Sequence, residues 1–253
     1  MAKKIKVSRK KIKKPDEFVT FSDRAFKYIS QNKNVAFAVI SGIIIALLAF
    51  SMINYSLKTR RAKAEALLAE AFSILNTPLA GQLSQEQALQ SAKSFASSQE
   101  RNKQAISKLN EVVQKFGRNQ AGMEARYHLG ETYFVDGNYQ ASLSAYEDFL
   151  KQLKSAKPAA QFLEYSAYLG IAKDHYQLGN YEKANENFQK VIDQKEGSSY
   201  KPEAMLGLAR SLIKLKKYDD AREKLEALIQ TYPGSIYEQL AKLEQANVPA
   251  RKK

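Results

Sequence analysis

What the chain lacks narrows it first. It contains no cysteine, which removes disulfides, thiolate metal sites, a cysteine nucleophile and the acylated cysteine of a lipoprotein anchor. Histidine occurs only as His128 and His175, and there is no H-E-x-x-H, G-x-S-x-G, glycine-rich phosphate loop or Asp-rich calcium loop. The acidic residues are spaced as on solvated helix faces, so no acid/base pair stands out. The two histidines read as packed or groove-edge residues rather than a metal pair. Neither catalysis nor a cofactor is expected.

Long hydrophobic runs are also scarce, with one exception. The stretch "NVAFAVISGIIIALLAFSMINYSL" between Lys33 and Lys58 carries no charge. As helix, residues 35–55 would span roughly 31 Å, against about 30 Å for the hydrocarbon core of a bilayer. A cleaved signal peptide has a shorter apolar region and a small-x-small site, whereas here Lys58, Arg60, Arg61 and Lys63 follow at once. The run therefore reads as a transmembrane helix. Within it Ala38, Gly42 and Ala46 form a small-xxx-small face that could support homo-oligomerisation or contact with another span.

The net charge of +14 is unevenly shared, because eleven Lys or Arg stand against three Asp or Glu in residues 1–34. By the positive-inside rule this end stays cytoplasmic. The cluster "KKIKVSRKKIKK" from Lys3 is read as a topology determinant, with contact to anionic lipid or ribosomal RNA as the sharper alternative. Between it and the span, Phe18, Phe21, Phe26 and Ile29 among charges suggest a short interfacial helix.

The rest of the chain repeats itself. "DGNYQASLSAYEDFL", "LGNYEKANENFQKVI" and "LKKYDDAREKLEALI" align on Tyr139, Tyr181 and Tyr218, followed by Ser142, Ala184 and Ala221 and then by Tyr146, Phe188 and Leu225. Spacings of three and four place these on one helical face. A second helix precedes each phrase, with small residues Gly130, Ala172 and Ala209 where backbones must approach closely. The unit is helix, tight turn, helix. A fourth unit is partly visible, since "AISKLNEVVQKFG" from Ala105 overlays "AREKLEALIQTYP" from Ala221 and finds a partner helix in residues 60–76.

These units resemble the tetratricopeptide repeat, with its W-x2-L-G-x2-Y, A-x3-F and P pattern. Residues 126–133 match as Arg-x2-Leu-Gly-x2-Tyr, with Arg126 in the tryptophan place; A-x3-F reads Ser142 and Tyr146, Ala184 and Phe188, Ala221 and Leu225; the proline occurs only as Pro233. Successive units are 42 and 37 residues apart, against 34 in the family. The excess falls in "KQLKSAKPAA" and "DQKEGSS", read as lengthened loops. The expected fold is all-α, a single N-terminal transmembrane helix followed by a helical-hairpin solenoid. Its parts are a basic tail with an interfacial helix (1–34), the span (35–57), a membrane-proximal helix, insertion and first partial repeat (58–120), three repeats (121–233), and a capping helix with a basic tail (234–253).

The resemblance implies a concave groove on the first helices that binds proteins or peptide segments. It would present Glu124, Tyr127, Glu131 and Phe134, then Leu169, Lys173 and Tyr176, then Leu206, Arg210 and Ile213. Replacing Tyr127 and Phe134 together is expected to impair binding without loss of helicity. The subclass that clamps a C-terminal carboxylate uses Asn and Lys where this chain has Tyr127, Glu131, Leu169 and Lys173, so that function is not expected. The whole architecture is similar to the bacterial family of single-span periplasmic repeat proteins that includes the ancillary subunit of the Sec translocon. That likeness implies a protein of the inner membrane, repeats in the periplasm, which meets exported clients beside the translocon. The alternatives are a scaffold of another envelope complex and a membrane tether for ribosome or RNA through the basic tail, although nucleic acid is not an expected partner.

Overall fold

The computed structural model describes residues 17–83, 93–154, 163–194 and 199–249. The basic cluster at 3–14 and most of the two stretches read as lengthened loops lie outside the described residues. Among them ten α-helices form and no strand, only an isolated bridge between Leu79 and Phe95. The chain divides into two compact units, 1–59 and 60–253.

The first unit holds α1 (Glu17–Gln31) and the beginning of α2 (Lys33–Leu75). Asn32 separates the two helices, its backbone and side-chain N–H groups both donating to the Tyr28 carbonyl. The apolar run lies within α2, a helix long and apolar enough, by length and composition, to cross a membrane. Its large side chains, among them Phe37, Ile45, Leu48, Phe50 and Met52, are exposed. A contiguous exposed apolar surface of this size marks a place where something other than water belongs. No helix end falls at 57/58, because the residues after the apolar run, "KTRRAKAEALLAEAFSIL", are strong helix formers.

The second unit starts from residues 60–75 of α2. Ala64, Leu68 and Ala71 there share a core with Leu109 and Val112 of α3 (Ser98–Phe116) and with Ala121, Ala125 and Leu129 of α4 (Gln120–Val135). Lys108 bonds Glu70 at 2.9 Å across the first of these contacts. Residues 60–75 and α3 are thus the incomplete first repeat. Three helical hairpins follow, α4 with α5 (Tyr139–Leu153), α6 (Glu164–Gln177) with α7 (Tyr181–Ile192), and α8 (Lys201–Lys214) with α9 (Tyr218–Thr231). A last helix, α10 (Ile236–Asn247), covers the open face of α8 and α9 with Ala241, while Val248 just beyond it joins the same cluster.

Local chemistry sets the helix ends. Ser97, Asn119, Asn138 and Ser235 each cap a helix by accepting a backbone N–H three residues on. The hairpin turns close in one way three times. Asn138, Asn180 and Lys217 donate backbone N–H groups to Tyr133, His175 and Leu212, leaving the preceding residue left-handed. That residue is Gly137 or Gly179, both at φ 78°, but Lys216 at φ 60° in the third turn. Lysine there carries the β-carbon strain that glycine avoids.

The hairpins join through aromatic rings set against glycines. Tyr146 of α5 lies against Gly130 of its own hairpin and Gly170 of the next, where an added β-carbon would come within 2.7 Å and 2.5 Å of the ring. Phe188 of α7 meets Gly207 in the same way. Ala172, Ala184, Ala209 and Ala221 are fully buried at these joints. Each cluster of core residues spans a joint, so every hairpin completes the core of the one before it.

Candidate protein-binding groove

The first helices of the hairpins, α4, α6 and α8, lie side by side and leave two adjoining clefts. The one between α4 and α6 encloses about 260 Å³ and is lined by Tyr127, Glu131, Phe134, Leu169, Lys173 and Glu203, among others. Its neighbour between α6 and α8 encloses about 150 Å³, with Tyr176, Phe188, Leu206 and Arg210 added to Phe134, Lys173 and Glu203. Phe134, Lys173 and Glu203 belong to both, so the clefts form one groove.

Eight of the ten sequence-predicted residues line that groove, and Glu124 and Ile213 do not. Glu124 accepts from Gln120 one turn earlier, and Ile213 packs between two core clusters. Tyr127, Leu169 and Leu206 form its floor and are buried, at 5%, 5% and 3% exposure. Tyr127 stacks edge-on against Tyr146 and Phe149. The double replacement of Tyr127 and Phe134 would therefore disturb the core, because burial of the first ring is structural. Phe134, Tyr176, Lys173 and Arg210 supply the accessible walls.

The polar groups of the groove are largely paired with one another. Lys173 Nζ bonds Glu203 Oε1 at 3.0 Å and sits 5.2 Å from the centre of the Phe134 ring. Arg210 bonds Glu244 of α10 at 2.7 Å. Tyr127 donates its hydroxyl hydrogen to Glu131 Oε1 at 2.9 Å, which leaves Ser166 to donate to the Tyr127 oxygen. Burial holds the Tyr127 phenol well above its ordinary pKa, so the O–H stays in place as that donor. The other Glu131 oxygen lies 2.7 Å from His128 Nδ1, and the His128 ring stands edge-on to Phe72.

His175 is buried in α6, with no grouping of metal-ligand side chains around it among the described residues. Glu203, Tyr200, Ser166 and Glu244 are groove or groove-rim residues that the sequence reading missed. Glu203 stands in the first turn of α8, two helices and thirty residues beyond Lys173, and no local spacing links the two. Gly170 and Gly207 were also missed, although their signal was present: each stands two residues before the small residue of its repeat, Ala172 or Ala209.

A family model described as tetratricopeptide repeat matches residues 96–160 and 169–236, more than half of the chain. The chain belongs to the tetratricopeptide repeat family. The matched segments begin at α3, so the family pattern takes in the second helix of the incomplete first repeat but not residues 60–75. Arg126, in the tryptophan place, instead donates to the carbonyls of Gly117 and Gly122 at 2.6 Å and 3.1 Å, tying the end of α3 to α4.

One solved structure shows the same fold, and others are similar to parts of the chain. Nearly identical tetratricopeptide-like repeats from Podosopora anserina share 13% identity at a TM-score of 0.50 over 59% of this chain and 78% of that one. PilF of Pseudomonas aeruginosa aligns at 15% identity and TM-score 0.46, over 75% of this chain and 86% of that one. A signal-transduction ATPase of Pyrococcus horikoshii with a tetratricopeptide sensor aligns at 26% identity and TM-score 0.49, over 60% of this chain but 24% of its own. No curated protein matches the sequence significantly.

Proposed function

We propose that this protein is a single-span membrane protein whose repeats bind extended segments of other proteins in the groove of α4, α6 and α8. Its place, on this reading, is beside the Sec translocon of a bacterial inner membrane. There it meets exported chains as an ancillary, chaperone-like factor, with the basic end cytoplasmic and the repeats periplasmic. The observation that carries the membrane half is the charge-free, exposed apolar surface of residues 35–57. Support for the binding half comes from a groove that offers Phe134 and Tyr176 to solvent between paired charges, a combination suited to side chains of an extended segment.

Photocrosslinking in cells from positions 134 and 176, with captured chains identified by mass spectrometry, tests the reading. Translocon subunits together with many exported proteins are the expected catch. A single dominant envelope protein would make the molecule a scaffold instead. The absence of cysteine also makes topology directly measurable. A cysteine placed at Glu223, on the exposed face of α9, should react with a membrane-impermeant maleimide in cells whose outer membrane is permeabilised, and one placed at Ser8 should not.

A further inference from the structure

The cleft between α4 and α6 has a chemistry of its own. Its lining is largely aromatic, from the buried Tyr127 and Tyr146 rings with Phe134 and Tyr200, and two carboxylates, Glu131 and Glu203, enter it. One ammonium is already seated there, since Lys173 lies over the Phe134 ring and bonds Glu203. Ring face plus carboxylate is the arrangement that holds an organic cation, because the ring quadrupole and the formal charge act in the same direction.

Glu131 is the second carboxylate, and among the described residues no lysine or arginine pairs with it. Its partners are the Tyr127 hydroxyl and His128, one to each oxygen, and each oxygen retains a further lone pair. The side chain is 45% exposed, so an incoming group reaches it. The cleft thus holds two negative groups against one positive side chain, in a protein whose net charge is +14. An acidic ligand would meet Glu131 with no free counter-charge nearby, as Lys173 is engaged.

We infer that this cleft is a subsite for a cationic side chain, a lysine or arginine of the bound protein segment, with Glu131 as its counter-charge and the Phe134 and Tyr200 rings beside it. The inference rests on the groove reading above and adds to it the kind of segment selected: one whose apolar residues are interrupted by a basic one. Lys173 is the internal example of the same contact, one turn along the groove.

The test uses the full chain in detergent micelles against an array of random 12-residue peptides. For the strongest binders each lysine is replaced by norleucine and each arginine by citrulline, so that charge changes while size is kept. The subsite predicts that one such replacement weakens binding on the order of tenfold in the wild-type protein and less than twofold in Glu131→Gln. Binders indifferent to these replacements, or equally sensitive in wild type and Glu131→Gln, overturn the subsite. In that case the groove reading still stands if Phe134→Ala and Tyr176→Ala abolish binding. If those two variants leave every bound peptide unaffected, or if no peptide binds, the groove reading fails and the subsite with it. Unchanged helicity and melting of Glu131→Gln guard against a folding effect, and the peptide replacements read the charge preference without altering the protein.

Discussion

At the joint between the first and second full repeats, Tyr146 reaches between Gly130 and Gly170, and beside it Ser142 faces Asp174. At the next joint Phe188 meets Gly207, and the positions in register with Ser142 and Asp174 hold Ala184 and Ser211. The wedge of ring against glycine is shared; the polar pair beside it is not. Ser211 satisfies itself by donating to the Gly207 carbonyl of its own helix at 3.0 Å, as Thr132 does to His128 at 2.7 Å. Asp174 has no such option while ionised. It is fully buried, its Oδ1 has no partner, and its Oδ2 lies 2.8 Å from Ser142 Oγ. Ser142 Oγ is also 2.8 Å from the Gly130 carbonyl, and it has one hydrogen for two acceptors. A protonated Asp174 resolves the conflict by donating to Ser142, which then donates to Gly130. Burial accordingly pushes the Asp174 pKa up to about 7, against the opposing pull of the Ser142 hydrogen bond and of Lys173. The polar pair beside one wedge thus holds a titratable group and the pair beside the other does not.

The shared wedge is the feature whose loss costs most. Gly170→Leu and Gly207→Leu are each expected to destabilise the repeats by about 3 kcal/mol, because the aromatic ring has nowhere to move in a packed joint. Thermal unfolding followed by circular dichroism measures this. The incomplete repeat already shows the compensating arrangement: in register with Tyr146 stands Leu109, and in register with Gly170 stands His128. Replacing Tyr146 by Leu should therefore recover part of the loss in Gly170→Leu and none in Gly207→Leu. Equal recovery in both would show that the two joints are not separate units.

The differing pair predicts a pH effect. The folded-state pKa of Asp174 is raised above the unfolded value, so its contribution is fully present below about pH 4 and is lost as pH rises to about 7. Asp174→Asn should therefore melt higher than wild type above pH 7, by on the order of 3 kcal/mol, with the gap closing toward pH 4. A gap of the same size at both pH values would mean that the residue does not titrate in this range. The smallest effect concerns the turns. Lys216→Gly should stabilise the third hairpin by about 1 kcal/mol, since it relieves a left-handed lysine; glycine already fills the equivalent place in the other two turns, so alanine at Gly137 or Gly179 should shift melting in the opposite direction.

Most of the solenoid could be read from the chain because its units obey short-range periodicity. Each of the tyrosines at 139, 181 and 218 lies within the same helical hairpin as the small residue after it, where spacing alone fixes which side chains share a face. The groove was legible in part for the same reason. Phe134, Lys173, Tyr176 and Arg210 lie on the first helices where repeat register places them. What escaped was everything set by contact between helices: the seating of Lys173 on Glu203, the tie of Arg210 to Glu244, and the burial of Tyr127. That ring is fixed by Tyr146 and Phe149 of the following helix, and no spacing within α4 distinguishes it from Phe134.

By itself, then, the sequence determined the all-helical hairpin repeats and the charge-free apolar run near the N-terminus, because these follow from periodicity, run length and composition. The tertiary structure decided which aromatic side chains are core and which are wall, and which carboxylates are neutralised. It also decided where a carboxylic acid is forced to keep its proton. Those outcomes depend on how far apart neighbouring helices pack, and that distance is set by glycines meeting rings across a joint.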